Sequence, residues 1–312
     1  MENHLKIPLI LVTGFLGAGK TTYIRQLLDK YADDRRIGII QNEFASANID
    51  TAELSASGKK FHLLEINKGS VFCVCLLANF IDSLAAFIDS HSPDLLVIES
   101  SGLSDPINIA EIMQHEKLSG KTFLLQSVCI IDLVNFHKVI QLSERLKRQI
   151  MIADTILLNK LDTGQETVEE VSGQVRRLNP FAEMLETSFC RTDNYPGWEQ
   201  SPGSPVAERM NFPLEPFGRA DIKTVVLRTT RIFPEKYLEQ FISENEQRCI
   251  RIKGFINLEN SKMVSVQSEF GKTRIKEIDY YAGPTELIGI GFDISTEEFG
   301  RRFHELRKDI ST

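Results

Sequence analysis

The sequence predicts an α/β fold with a mostly parallel central sheet, followed by a smaller C-terminal α+β domain with an antiparallel sheet. Three observations carry this reading. Apolar, β-branched runs alternate with helical patterns through the first 190 residues. The texture then changes at a stretch containing Pro196, Pro202, Pro205, Pro213 and Pro216. Beyond it come shorter alternating runs, which suit strands with one face on a core. The expected organisation is a domain over 1–190, a Pro-rich linker over 191–220 and a second domain over 221–312.

In order, "IPLILVTG" (7–14) reads as a buried strand bounded by glycine. In "TTYIRQLLDKY" (21–31), Tyr23, Leu27 and Tyr31 recur every four residues with Ile24 and Leu28 beside them, which makes one helix face. "RRIGIIQNE", "FHLLEI", "DLLVIESSG", "FLLQSVCIID" and "DTILLNKLD" read as further strands, with helices over "LANFIDSLAAFIDSH" and "TVEEVSGQVRRL". After the linker, "IKTVVLRTT", "CIRIKGFINLE", "KMVSVQS", "TRIKEIDYY" and "TELIGIGF" suggest a meander-type sheet. A helix is expected after Pro234, and another where Ser295 and Glu298 form an S-x-x-E capping box.

Composition narrows the function classes. The 312-residue chain is 42% apolar and 25% charged with net charge −7. That balance argues against a broad nucleic-acid or anionic-membrane surface. Five cysteines, an odd number in a long chain, argue against a disulfide framework. The N-terminal apolar run lacks a small-residue cleavage site and flows into a glycine motif, so it reads as a strand and not a signal peptide. No apolar stretch is long enough to span a bilayer. The expected compartment is a reducing cytoplasm.

Three motifs carry chemistry. "GFLGAGKTT", Gly14 to Thr22, matches G-x-x-x-x-G-K-[ST] between a strand and a helix, which marks a P-loop NTPase. Gly14, Gly17, Ala18 and Gly19 let backbone N–H groups face phosphates, at the positive end of the helix dipole. Lys20 reaches the β- and γ-phosphates, the Thr21 hydroxyl is a Mg²⁺ ligand candidate, and Thr22 completes the cradle. "ILLNKLD" (156–162) presents N-K-x-D after a buried strand. Asp162 can accept hydrogen bonds from guanine N1–H and the exocyclic amine, and adenine offers neither there. Asn159 would brace the loop and the stem of Lys160 would cover the base. "LLVIESSGLSDP" (95–106) ends an apolar strand in Glu99, a second Mg²⁺ candidate. The backbone at Gly102 can approach a γ-phosphate. The nucleotide implied is GTP with Mg²⁺, and the catalytic candidates are Lys20, Thr21 and Glu99.

"GFLGAGKTT", "QNEFASANID", "IESSGLSDP" and "LLNKLD" stand in the order and spacing of the CobW-type GTPases, relatives of the nickel-insertion GTPases of urease and hydrogenase, and the chain resembles that family over nearly its whole length. "RIKGFINLE" and "TELIGIGFDISTEEF" are similar to the family's C-terminal domain. The resemblance implies GTP hydrolysis coupled to delivery of a metal or metallocofactor, or to activation of a client metalloenzyme. Residues 42–50 and 100–106 are the expected switch regions, and Glu43, Asp105 or a dimer partner is left to position the attacking water. The partners implied are a client metalloenzyme or cofactor-binding protein, with a homodimer left open.

Two departures bear on metal. The family's segment N-E-F-G-E, often preceded by an acid, is here "QNEFAS": Asn42, Glu43 and Phe44 match, whereas Gln41, Ala45 and Ser46 do not. The family's Cys-x-Cys-Cys after glycine is here Gly69-Ser70-Val71-Phe72-Cys73, followed by Val74 and Cys75. Cys73 and Cys75, with Glu43, are candidates for Zn²⁺ or another thiophilic ion. The alternative is that both cysteines pack under the following helix, in a nucleotide-regulated binding module without metal cargo. A Cys-x-Cys redox pair is disfavoured by strain. His4, His62, His91, His115, His137 and His304 are scattered and read as surface or capping residues, and Cys129 reads as core.

Overall fold

The computed structural model describes residues 6–43, 59–67, 74–100, 109–110, 112–163, 168–192, 222–246, 248–269, 272–278, 283–292 and 294–308. The first unit is built on β1 (Ile7–Gly14), α1 (Lys20–Tyr31), β2 (Ile37–Glu43), β3 (His62–Asn67), α2 (Val74–His91) and β4 (Leu95–Glu99). It continues through α3 (Glu116–Ser119), β5 (Thr122–Asp132), α4 (Phe136–Leu142), α5 (Glu144–Ile152), β6 (Thr155–Asn159), α6 (Val168–Leu178) and β7 (Glu183–Glu186). The seven strands lie in the order β3-β2-β4-β1-β5-β6-β7, and every pairing is parallel.

Every residue of β4, β5 and β6 is buried. Successive strand side chains point to opposite faces, so full burial means that both faces of the sheet are covered. This is why those segments read as continuous apolar runs. Helix α1 buries the expected stripe of Tyr23, Ile24, Leu27, Leu28 and Tyr31. Connections leave β1 towards β2 on one side and reach β5 on the other. The carboxyl ends of β1, β2, β4 and β6 therefore share one rim, the place where open parallel sheets bind ligands.

The second unit comprises β8 (Ile222–Thr229), α7 (Leu238–Glu246), β9 (Cys249–Asn257), β10 (Met263–Glu269), β11 (Lys272–Glu277), β12 (Thr285–Phe292) and α8 (Thr296–Lys308). Its antiparallel order is β11-β10-β9-β12-β8. Of the expected meander, β9-β10-β11 follow one another in the sheet, whereas β12 returns to pair with both β9 and β8. The N-cap half of the expected capping box is present, with the Ser295 hydroxyl accepting from the Glu298 N–H at 3.1 Å, while the Glu298 carboxylate pairs with Arg248 and Arg302.

Alternation along β9 sorts the two faces of this sheet. Ile252 and Ile256 join Phe233, Phe241, Phe299 and Phe303 in a core of its own. Arg251, Lys253 and Phe255 point the other way, onto the first unit. Phe255, Val226, Met263, Ile278 and Ile288 belong to the same buried cluster as the seven-stranded sheet. Among these apolar contacts sit buried ions. Asp154 pairs with Arg251 and, at 2.7 Å, with Lys253. Glu286, fully buried, pairs with Arg148 and Arg228 at 2.7 Å each. Residues 193–221, which hold all but the first two residues of the predicted linker, lie outside the described residues.

Candidate functional site: a nucleotide cradle at the strand ends

The turn after β1 is shaped by glycine. Gly14 (φ 138°), Gly17 (φ 75°) and Gly19 (φ 111°) all take left-handed backbone. At Gly19, which precedes α1, a Cβ would lie 2.7 Å from Asn159 Nδ2 and 3.0 Å from Cys190 Sγ. Only hydrogen fits between the loop and the base-side residues. The Ala18 N–H closes the turn on the Phe15 carbonyl at 3.1 Å. Lys20 is buried and donates to the Phe15 carbonyl at 3.3 Å, so its ammonium lies over the loop. Thr21 and Thr22 open α1 at half-buried positions. A helix start with a left-handed glycine turn before it is a ready anion site.

The metal side is assembled from three elements. The Thr21 hydroxyl donates to Glu99 Oε1 at 3.2 Å, and the Gln41 amide donates to Glu99 Oε2 at 2.9 Å. Gln41 and Glu99 are register partners across β2 and β4. The Ser100 N–H donates to the Val12 carbonyl at 2.9 Å, keeping the end of β4 against β1. A hydroxyl beside a carboxylate is a hard-oxygen donor set, which fits Mg²⁺.

The base side centres on Asn159. Its amide donates to the Ala18 carbonyl at 2.8 Å, joining the N-K-x-D loop to the phosphate loop. Its carbonyl accepts from the Thr187 hydroxyl at 3.2 Å and the Cys190 N–H at 2.9 Å. The Cys190 thiol donates to the Gly19 carbonyl at 3.4 Å. Burial pushes this thiol up to about 12, so it acts as a buried donor and not as a thiolate. Lys160 (φ 70°) reaches Asp132 at 2.8 Å. Burial pushes the Asp132 carboxyl up, but hydrogen bonds from Lys160 and Asn135, the Lys160 charge and the Val134 N–H outweigh it, and the net effect is downward. Asp162, two residues beyond Lys160, is exposed.

The structure thus brings Gly14, Gly17, Ala18, Gly19, Lys20, Thr21, Glu99 and Asn159 to one rim. Gly102, Asp105 and Cys73 lie outside the described residues, as do most of both switch segments. The backbones of Glu43 and Cys75 are placed, at the end of β2 and the start of α2. Cys129, Cys190 and Cys249 are buried free thiols, each pushed up to about 12 by burial. Among the described residues no group of three His, Cys, Asp or Glu could hold a metal. Asp132, Thr187 and Cys190 escaped the sequence reading. An acid ending the apolar run "CIID" was a signal for the first; nothing local marked the other two. Two histidines distant in sequence, His62 and His91, stack with ring centroids 4.2 Å apart.

A model of the CobW/HypB/UreG nucleotide-binding domain matches residues 8–186. The chain belongs to the CobW/HypB/UreG family. A model of the cobalamin synthesis protein cobW C-terminal domain matches residues 222–307. Among curated relatives, the zinc chaperone YjiA of Escherichia coli (strain K12) is 24% identical, over 97% of this chain and 99% of the relative. The zinc-regulated GTPase metalloprotein activator 1 of Dictyostelium discoideum is 24% identical, over 80% of this chain and 62% of the relative. The zinc chaperone CobW of Sinorhizobium sp is 31% identical, over 56% of this chain and 58% of the relative. The chain thus spans about three fifths of the length of the last two.

Proposed function

We propose that this chain binds and hydrolyses GTP with Mg²⁺ and couples its nucleotide state to delivery of a metal or metallocofactor, or to activation of a client metalloenzyme. The observation that carries the reading is the Asn159–Ala18 hydrogen bond, which sets a guanine-type recognition loop directly against the phosphate loop. Lys20 and the backbone amides of the turn stabilise charge on the transferring phosphoryl group. Thr21 and Glu99 would hold Mg²⁺, which neutralises charge on the β- and γ-phosphate oxygens. Lys160, held by Asp132, lays its stem over the base, and Asp162 reads the guanine edge.

The relatives' names support zinc as the cargo or the client's metal. Glu43, Cys73 and Cys75 are the ligands we propose, in a chain organised as a GTPase domain over 1–190, a linker over 191–220 and a C-terminal α+β domain over 221–312. The amide of Gln41, committed to Glu99 where the family often carries an acid, favours the activator over the tight carrier. The buried free thiols support a reducing, cytoplasmic setting. Among the described residues no helix is long and apolar enough to cross a membrane.

The test has two arms on the purified full chain. Hydrogen exchange across 42–50 and 100–106 should differ between GDP and a non-hydrolysable GTP analogue; identical exchange contradicts nucleotide coupling. Zinc stoichiometry should depend on the nucleotide and fall in Cys73→Ala. Substoichiometric zinc indifferent to both would leave a regulated binding module with structural cysteines.

A further inference from the structure

The Glu99 carboxylate is 5% exposed, and both of its oxygens are engaged by named donors. Thr21 holds Oε1 from the phosphate-loop side, and Gln41 holds Oε2 from the neighbouring strand. Gln41 is itself 5% exposed and sits in register with Glu99 across the β2–β4 ladder. A carboxylate in so dry a place rotates freely only by losing hydrogen bonds that water does not replace. The Gln41 amide therefore fixes the plane in which the carboxylate faces the Thr21 hydroxyl. Its neutrality matters too. An acid 2.9 Å from Glu99 would put two carboxylates side by side, and one would take up a proton or a second cation. An amide lets Glu99 serve a single divalent ion. Beyond Gln41 the strand runs directly into Asn42 and Glu43, at the entrance to the first proposed switch.

We propose that Gln41 is a positioning residue of the Mg²⁺–nucleotide site: it orients Glu99 for the ion and ties the strand entering residues 42–50 to that ion. The inference rests on the GTPase reading above. Partners of metal ligands typically control metal affinity by about 10–100-fold. Gln41→Met keeps the length and packing of the side chain and removes the donor; Gln41→Ala is the second variant.

The experiment measures release of a fluorescent GDP analogue from the full chain across a free-Mg²⁺ titration and in EDTA, with the Mg²⁺ dependence of GTP hydrolysis alongside. In Gln41→Met the Mg²⁺ needed to half-slow release should rise about tenfold, and the half-saturating Mg²⁺ for hydrolysis should rise with it. Turnover at saturating Mg²⁺ should change far less, and release in EDTA should match the wild type. Gln41→Ala should show the same split. A Mg²⁺ titration superposable on the wild type in both variants overturns the proposal. So does a change of equal size in EDTA, which would mean a general distortion of the pocket. A wild type that hydrolyses GTP but whose release ignores Mg²⁺ also overturns the proposal, whereas a wild type that hydrolyses no GTP at any Mg²⁺ concentration would instead overturn the GTPase reading itself.

Discussion

Asp132 shows how a single side chain holds the base-side loop. It is 9% exposed and pairs with Lys160, a residue in left-handed backbone that the pairing helps to keep there. Its folded pKa lies below the ordinary carboxylate value, since the Lys160 and Asn135 hydrogen bonds outweigh burial. A depressed carboxyl contributes stability that is fully present above the unfolded value and is lost as pH falls through the folded one. That loss begins below about pH 4, the ordinary Asp range. Asp132→Asn should therefore melt below the wild type at pH 6, and the two melting curves should converge towards pH 3. Parallel curves from pH 6 to pH 3 would contradict this role. Asn159 works by a different means. It is neutral and buried, and it satisfies the Ala18 carbonyl and the Cys190 N–H at once.

Among the elements, β9 bears the tightest constraint. Gly254 has φ 143°, and a Cβ there would lie 2.0 Å from the Glu286 carbonyl of β12. Gly254→Ala should cost about 2–4 kcal/mol in denaturant unfolding, from strained backbone and forced separation of the strands. A change within about 0.5 kcal/mol would show that the sheet yields there. The same elements explain what could be read from the chain alone. β1 is legible to the residue, and β4, β5 and β6 nearly so, because strands buried on both faces leave unbroken apolar runs. β7, "EMLE", is half-buried and short, with acids at both ends, and no periodicity betrays it. The helical stretch between β5 and β6 breaks at Ser143, whose hydroxyl caps α5 by accepting from the Leu146 N–H, and neither short helix stands out. The phosphate and N-K-x-D motifs are contiguous and so were legible. Gln41, Asp132, Thr187 and Cys190 act across strands, through register and loop approach, and contact order of that kind leaves no local pattern.

On the scale of the whole molecule, the two sheets share one apolar cluster and a set of buried ion pairs. Glu286 is fully buried between Arg148 of α5 and Arg228 of β8, so it couples the two units directly. Removing its charge turns both ion pairs into, at most, hydrogen bonds to a neutral amide. Glu286→Gln should lower stability by about 3 kcal/mol, and calorimetry should show the whole chain shifting together. Two separated transitions, with only one moved, would mean that the units unfold independently. A second joint, Asp154 with Arg251 and Lys253, sits at the start of β6, and the same strand ends at Asn159, which bonds the phosphate loop. The central claim, that this rim selects and hydrolyses GTP, is tested most directly by kcat/KM for GTP, ATP and XTP in the wild type and Asp162→Asn. The wild type should favour GTP over ATP by on the order of 10⁴, the discrimination typical of a site built to hydrogen-bond its substrate. Asp162→Asn should move the preference to XTP, whose C2 carbonyl accepts from the new amide where guanine offers a donor. Equal turnover of GTP and ATP by the wild type, or an undiminished GTP preference in the variant, would contradict the account.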